Sequence, residues 1–391
     1  MGWLAGELYT ISMRERLTNL ILLARCGLRF IRHGSAKKIP SYPRSVVIVQ
    51  FGKLGDMVCT TPMFRAIKNT SPSTRVIVVG DKVGGQILAG NTDVDRYIVC
   101  GKDIRAALVE LKKEGVQAGI TAGPSIRAFC LLYLAGMPLV LAPRVEGSES
   151  SESRLYRLVR RLGVLMPHTI GSYAPREYLR LLEPLGIQTD DTTKHVAVAP
   201  EAAARVDALL RESRAESAFL VGISASAGNK IKNWLPERFA AVAEHLAGRY
   251  GATIVLIGGP GDKQESDAVR AHSPADMRCI DTTGALSVEE LKALVARLGL
   301  FISVDTGPIY IAEALGVPTI DIVGPMDERE QPPIGERHAV VVPPFPRKPQ
   351  LYIMSPGNYN YAEARRQAES ISVAQVVAVA DELMGRVHNA A

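Results

Sequence analysis

The sequence predicts an α/β protein built as two halves, each a parallel sheet covered by helices. Three observations carry this. From Val46 onward, short apolar runs of strand type alternate with helical segments, the pattern of a parallel sheet buried on both faces. The same alternation begins again at Ala218. Glycine-containing turns follow several strand ends, which is where open parallel sheets bind ligands. A chain of 391 residues, 47% hydrophobic and 22% charged, has the apolar material for two cores.

Residues 1–44 stand apart as a basic amphipathic segment. Arg14, Arg16, Arg25, Arg29 and Arg32 punctuate Leu17, Leu20, Ile21, Leu22, Leu23, Leu28, Phe30 and Ile31. Such a helix either lies in a membrane interface or packs on the protein's own surface. The first domain is expected over 45–200. VVIVQF reads as a buried strand and TTPMFRAIKNT as a helix, with Pro62 at an early helical position. TRVIVVG is a strand, GGQILAG a short helix or turn, RYIVC a strand and Ile104 to Glu114 a helix. Strands follow near GVQAGITAG and PLVLAP. The Ser/Glu-rich stretch Arg144 to Arg154 reads as a mobile loop. A basic helix with Arg154, Arg157, Arg160 and Arg161 comes next, then the helix PREYLRLLEPLG.

The second domain is expected over 201–391. AFLVGISAS is its first strand and LPERFAAVAEHLAGRYG a helix, with Gly251 as its stop. TIVLIGG is a strand, and a helix follows PGDKQESDAVRAH. RCIDT, LFISVD and VPTIDIVG are strands, with helices at VEELKALVARLG and PIYIAEALG. A final helix, VAQVVAVADELMG, packs back.

The net charge of +6 favours an anionic partner but says nothing about fold. With only 6% aromatic residues and no binding signature, nucleic acid is not expected. The five cysteines are scattered, form no CxxC and fit no zinc spacing, as in a reduced cytoplasmic protein. No secretory signal and no run long enough to span a bilayer is expected.

Four strand ends carry candidate chemistry. In GKLGDM, the glycines Gly52 and Gly55 let a ligand approach closely. Asp56 is either a general base or a cap of the following helix. In SASAGNKIKNW, Ser226 precedes Lys230 and Lys232, which are phosphate-binding cations or solvated surface lysines. In GGPGDKQE, Asp262 and Glu265 either hold ribose hydroxyls or simply favour a helix start. In SVDTGP, Thr306 and Gly307 open a helix whose N–H groups suit a phosphate, and Asp305 suits sugar hydroxyls. Asp93 and Asp95 spell D-x-D, but nothing around them completes a metal site.

In this order, LGDMVCTTPMFRAIK, NTDVDRYIV, SASAGNKIKNWLPERFAAVAEHL, IVLIGGPGD, TTGALSVEELKALV and DTGPIYIAEALGVPTIDIVGP resemble glycosyltransferase family 9, the ADP-heptose:lipopolysaccharide heptosyltransferases. The resemblance runs from Val46 to Asp327. It implies a GT-B fold, two Rossmann-like domains facing across a cleft. It also implies inverting, metal-independent transfer from an ADP-sugar, with no cofactor, to a lipopolysaccharide-core or related anionic glycolipid, at or near the inner membrane face. Asp56 matches the family's base and Lys232 its diphosphate-binding lysine. Asp305, Thr306 and Gly307 match the donor turn. Ser226 lies near the family's small hydroxyl residues, and Asp262 or Glu265 would hold the ribose. Tyr310 stands where many members have histidine, and Gln50 where a basic residue is common. The alternatives are an NAD-dependent oxidoreductase or epimerase, which needs a glycine fingerprint the sequence lacks, and a non-catalytic GT-B binding protein.

Overall fold

A computed structural model of the chain describes residues 13–40, 43–147, 149–150, 152–354 and 359–389. The chain divides into two compact units. The first holds the described residues up to Thr193 together with 352–354, and the second holds Lys194–Leu351 and the described residues from Tyr359 onward.

The first unit runs α1 (Met13–His33), β1 (Ser45–Val49), α2 (Leu54–Thr70), β2 (Arg75–Gly80), α3 (Lys82–Leu88), β3 (Arg96–Val99), α4 (Arg105–Glu114), β4 (Ala118–Thr121), α5 (Ile126–Ala135), β5 (Leu139–Glu146), α6 (Arg154–Val159), β6 (Val164–Thr169) and α7 (Ala174–Arg180). Its six strands are all parallel in the order β3-β2-β1-β4-β5-β6. Val47 of β1 lies opposite Ile77 on one side and Gly119 on the other. Val46, Val47, Ile48 and Val49 are fully buried, because helices cover both faces of the sheet and leave no solvent side for polar alternation.

The second unit continues with α8 (Pro200–Glu212), β7 (Leu220–Ser224), α9 (Pro236–Tyr250), β8 (Thr253–Leu256), α10 (Lys263–His272), β9 (Cys279–Asp281), α11 (Val288–Val295), β10 (Leu300–Val304), α12 (Gly307–Ala314), β11 (Thr319–Ile322), β12 (His338–Val341), α13 (Tyr361–Ser370) and α14 (Val373–Asn389). Its parallel order is β12-β11-β10-β7-β8-β9. Both sheets therefore follow the Rossmann order, in which strand order reverses between the first and fourth strands. That reversal falls between β1 and β4 in one unit and between β7 and β10 in the other. Helix α14 packs on α9 and beside β11 and β12, and its Val376, Ala380 and Leu383 enter the same core.

Several elements differ from the sequence expectation. Helix α2 begins at Leu54 rather than Thr60, which places Pro62 inside the helix. A proline there has no N–H for the Val58 carbonyl. The Thr61 hydroxyl donates to that carbonyl instead, at 2.7 Å, and the helix continues. The stretch expected as a mobile loop is partly strand, since β5 extends to Glu146. Glu152 pins the stretch further by accepting from the Val145 N–H at 2.9 Å and from Arg160 at 2.9 Å. Residues 148 and 151 of that stretch lie outside the described residues, as do 1–12 of the basic segment. Arg160 is turned inward over Tyr156, so only part of the expected basic helix faces solvent.

Candidate active site

At the carboxyl edge of the first sheet, the turn after β1 is built around Asp56. The side chain belongs to the first turn of α2, and its carboxylate accepts the Lys53 N–H at 2.7 Å. It therefore satisfies one of the donors a helix start leaves unpaired, and the positive end of the helix favours its charge. Gly52 makes room for it, because a Cβ at position 52 would collide with Asp56 Oδ2. Gln50, buried, braces the turn. Its Oε1 accepts the Gly52 N–H at 2.9 Å, and its Nε2 donates to the Thr60 hydroxyl at 2.9 Å. Gly55 is buried in the same helical turn. Across the reversal point, Arg127 at the start of α5 lays its guanidinium 4.7 Å over the Phe51 ring. Arg127 is not among the residues the sequence points to, because the apolar run of α5 carries no helical signal there.

At the edge of the second sheet, the chain leaving β7 forms a single turn of 3-10 helix at Lys230–Lys232. This turn sends its two lysines to different partners. Lys232 donates to the backbone carbonyl of Asp305 and lies 3.1 Å from its Oδ2. The other Asp305 oxygen accepts from the Tyr310 hydroxyl. Lys230 instead reaches Ser226 Oγ at 2.5 Å, Asp262 Oδ1 at 2.8 Å and Glu265 Oε1 at 2.8 Å. Ser226 Oγ also donates to Asp262 Oδ1 at 2.8 Å, and the Gly259 N–H donates to Asp262 Oδ2 at 2.9 Å. Burial would raise the Asp262 carboxyl, but the hydrogen bonds from Lys230, Ser226 and Gly259 outweigh it and hold it below the usual range.

The residues after the lysines anchor this turn. Trp234 is buried edge-on to Phe239, and its indole N–H donates to the Ile371 carbonyl at 2.9 Å. Asn233 accepts from the Ala227 N–H at 2.9 Å and donates to Glu265 at 3.2 Å. Pro236 opens α9, where its missing N–H costs nothing.

Thr306 and Gly307 open α12, with Thr306 in extended backbone at the cap position. Pro308 has no N–H, so Gly307 is the backbone donor at the very start of the helix. Beneath this turn lies Asp321 of β11, opposite Ser303 of β10. It is fully buried, and its Oδ1 has no hydrogen-bond partner. Burial, and then the charge of Asp305, push its carboxyl well above the ordinary range. Sequence reading does not single it out, because TIDI looks like any buried strand.

The structure thus brings Lys232 together with Asp305, and Ser226 with Asp262 and Glu265 through Lys230. Thr306 and Gly307 follow Asp305 directly. Asp56, Gly52 and Gly55 form their own group in the first unit. The D-x-D carboxylates are both engaged, Asp93 by Arg65 at 3.7 Å and Asp95 by Lys68 at 2.6 Å and the Val76 N–H at 2.7 Å.

Two Rossmann-ordered units in one chain are the architecture of the GT-B fold. The chain belongs to glycosyltransferase family 9 (heptosyltransferase), whose sequence profile matches residues 152–357, just over half of the 391 residues. Among curated relatives, lipopolysaccharide heptosyltransferase 3 of Escherichia coli is 24% identical over 287 residues, covering 70% of this chain and 81% of the relative. Among solved structures, the family 9 glycosyl transferase of Veillonella parvula superposes with a TM-score of 0.72 at 23% identity, covering 90% of this chain and 99% of its own. The E. coli ADP-heptose lipopolysaccharide heptosyltransferase II superposes with a TM-score of 0.70 at 15% identity, covering 88% and 99%. These structural likenesses carry the fold. Family membership makes the chain an enzyme of glycosyl transfer and sets aside the oxidoreductase and non-catalytic alternatives.

Proposed function

We propose that this enzyme moves a sugar, heptose by its family, from an ADP-sugar to a lipopolysaccharide-core or related anionic glycan, with inversion and without a metal or cofactor. The observation that carries the reading is the Lys232–Asp305 contact beside the start of α12, at the reversal point of the second sheet. A diphosphate there would meet the ammonium of Lys232 and the N–H of Gly307, which offset charge as it builds on the leaving group. Asp262, held ionised by Lys230, would accept from ribose hydroxyls. The similarity to a lipopolysaccharide heptosyltransferase and to an ADP-heptose lipopolysaccharide heptosyltransferase supports the donor and acceptor class.

In this reading Asp56 takes the proton from the acceptor hydroxyl. The freed oxygen attacks the anomeric carbon from the face opposite ADP, the bond from that carbon to the diphosphate oxygen breaks, and ADP leaves. One inversion of configuration results. The acceptor would be met at the cytoplasmic face of the inner membrane. The test offers the purified enzyme a panel of ADP- and UDP-sugars with a lipopolysaccharide-core acceptor, and reads products by mass. ADP-heptose should give a product heavier by one heptose. Transfer from UDP-sugars alone would overturn the donor assignment.

A further inference from the structure

Helix α1 has two apolar faces, and the fold uses only one. Leu22 and Cys26 are buried in the first unit's core, where α1 packs on α5. Arg29 reinforces that face by lying 5.5 Å over the Tyr133 ring of α5. The Tyr133 hydroxyl donates to the carbonyl of Gly34, just past the helix end.

Among the described residues, nothing covers the opposite face in this way. Met13, Leu17, Leu20, Ile21, Leu28 and Ile31 are each more than half exposed, with Ile31 at 82%. At about 100° per residue they fall in a single stripe about 100° wide, on the side away from Leu22 and Cys26. Exposed apolar surface this continuous marks a place where something else docks. Arg25 and Arg32 border the stripe on one side and Arg16 on the other, all exposed. The acid in the helix's first turn, Glu15, sits round the far side from the stripe. No helix among the described residues is long and apolar enough to cross a membrane.

We propose that α1 is a docking surface for an anionic lipid bilayer. The helix lies flat, its outer stripe at the acyl boundary and Arg16, Arg25 and Arg32 on head-group phosphates. Charge selects this occupant over a second copy of the chain. Two such stripes face to face would bring arginine borders together with few acids to offset them, whereas lipid phosphates complement the borders along their whole length. The inference does not depend on the sugar or the acceptor, so it stands or falls without a turnover being measured.

The test sediments the full chain with vesicles of phosphatidylglycerol and phosphatidylcholine, and with phosphatidylcholine alone, at low and high salt. The chain should sediment with the anionic vesicles, less so at high salt, and stay in solution with the neutral ones. Replacing Leu17, Ile21 and Leu28 by Ser should lower the bound fraction at least tenfold, as should Arg16→Ser with Arg25→Ser and Arg32→Ser. Because all six side chains are exposed, both variants should keep the parent's thermal transition, which separates lost docking from lost folding. A parent chain that stays in solution with anionic vesicles, or variants that sediment like it, would overturn the proposal. So would a stable dimer in solution that the apolar triple variant dissolves with no vesicle binding by either, since the stripe is then an interface between copies.

Discussion

Lys232 holds Asp305 at two points, through the backbone carbonyl and through the carboxylate at 3.1 Å. Both side chains are largely buried, at 16% and 11% exposure, so the pair is screened less than a surface ion pair. A donor diphosphate in this turn would have to share the ammonium with Asp305. The two residues are therefore expected to respond differently to substitution. Lys232→Ala should weaken ADP at least about tenfold, the size of a charge-assisted hydrogen bond. Asp305→Asn should free the ammonium and tighten ADP by about threefold, on the order of a weak ion pair. It should nonetheless slow transfer if Asp305 accepts from a sugar hydroxyl, as expected from the sequence. Calorimetry with ADP alone measures both affinities. Unchanged ADP binding in Lys232→Ala would remove the diphosphate from this turn.

Asp56 presents a choice between cap and base that the right substitution separates. Asp56→Ala loses both functions, so its result is ambiguous. Asp56→Asn keeps an oxygen that can accept the Lys53 N–H but has no useful basicity. The Asn variant should melt close to the parent, while Ala loses about 1 kcal/mol with the cap interaction. Transfer by the Asn variant should fall by roughly 10²–10⁴, the usual share of a general base. Near-parent turnover in Asp56→Asn would leave Asp56 as a helix cap and nothing more. Gly52→Ala is a second probe. Its Cβ would collide with the Asp56 carboxylate, so its turnover should fall while ADP affinity, read in the other unit, stays near the parent's.

The repeated strand–helix alternation was legible because apolar strands bounded by glycine turns repeat in both units. What escaped the sequence shows why periodicity has limits. IRAFCLLYLA of α5 is apolar on nearly every side, so it carries no 3.6-residue signal, and a short buried helix then reads like strand. The strand β6 contains Pro167, which argues against a strand except at an edge, and an edge is where it lies. Helix α8 does carry a signal, with Ala202, Val206 and Leu210 buried four residues apart, but it falls where the two domains are expected to join. At the site, residue types were readable and partners were not. Nothing in NKIKN says that Lys230 turns to Asp262 and Glu265 while Lys232 turns to Asp305. The 3-10 turn decides that, and it depends on Trp234 being pinned to Ile371, 137 residues away in sequence.

The buried Asp321 gives a pH dependence whose sign can be worked out. Its carboxyl is raised by burial and by the neighbouring charge of Asp305, so the folded chain keeps a proton that the unfolded chain releases near the ordinary carboxyl pKa of about 3.9. Above that pH the unfolded state binds fewer protons than the folded one, and this residue lowers stability progressively as pH rises toward its folded pKa. Below it, both states are protonated and the residue is neutral in the balance. Asp321→Asn removes the titration while keeping shape and volume. The amide must find its own partner, which sets a constant offset that is measured at pH 4. Relative to that offset, the Asn variant should gain in melting temperature over the parent from pH 4 to pH 8. Thermal melts of the two proteins across that range decide the matter. Parallel curves would mean that Asp321 is ionised in the fold, with its charge held by Lys232 instead of suppressed by burial.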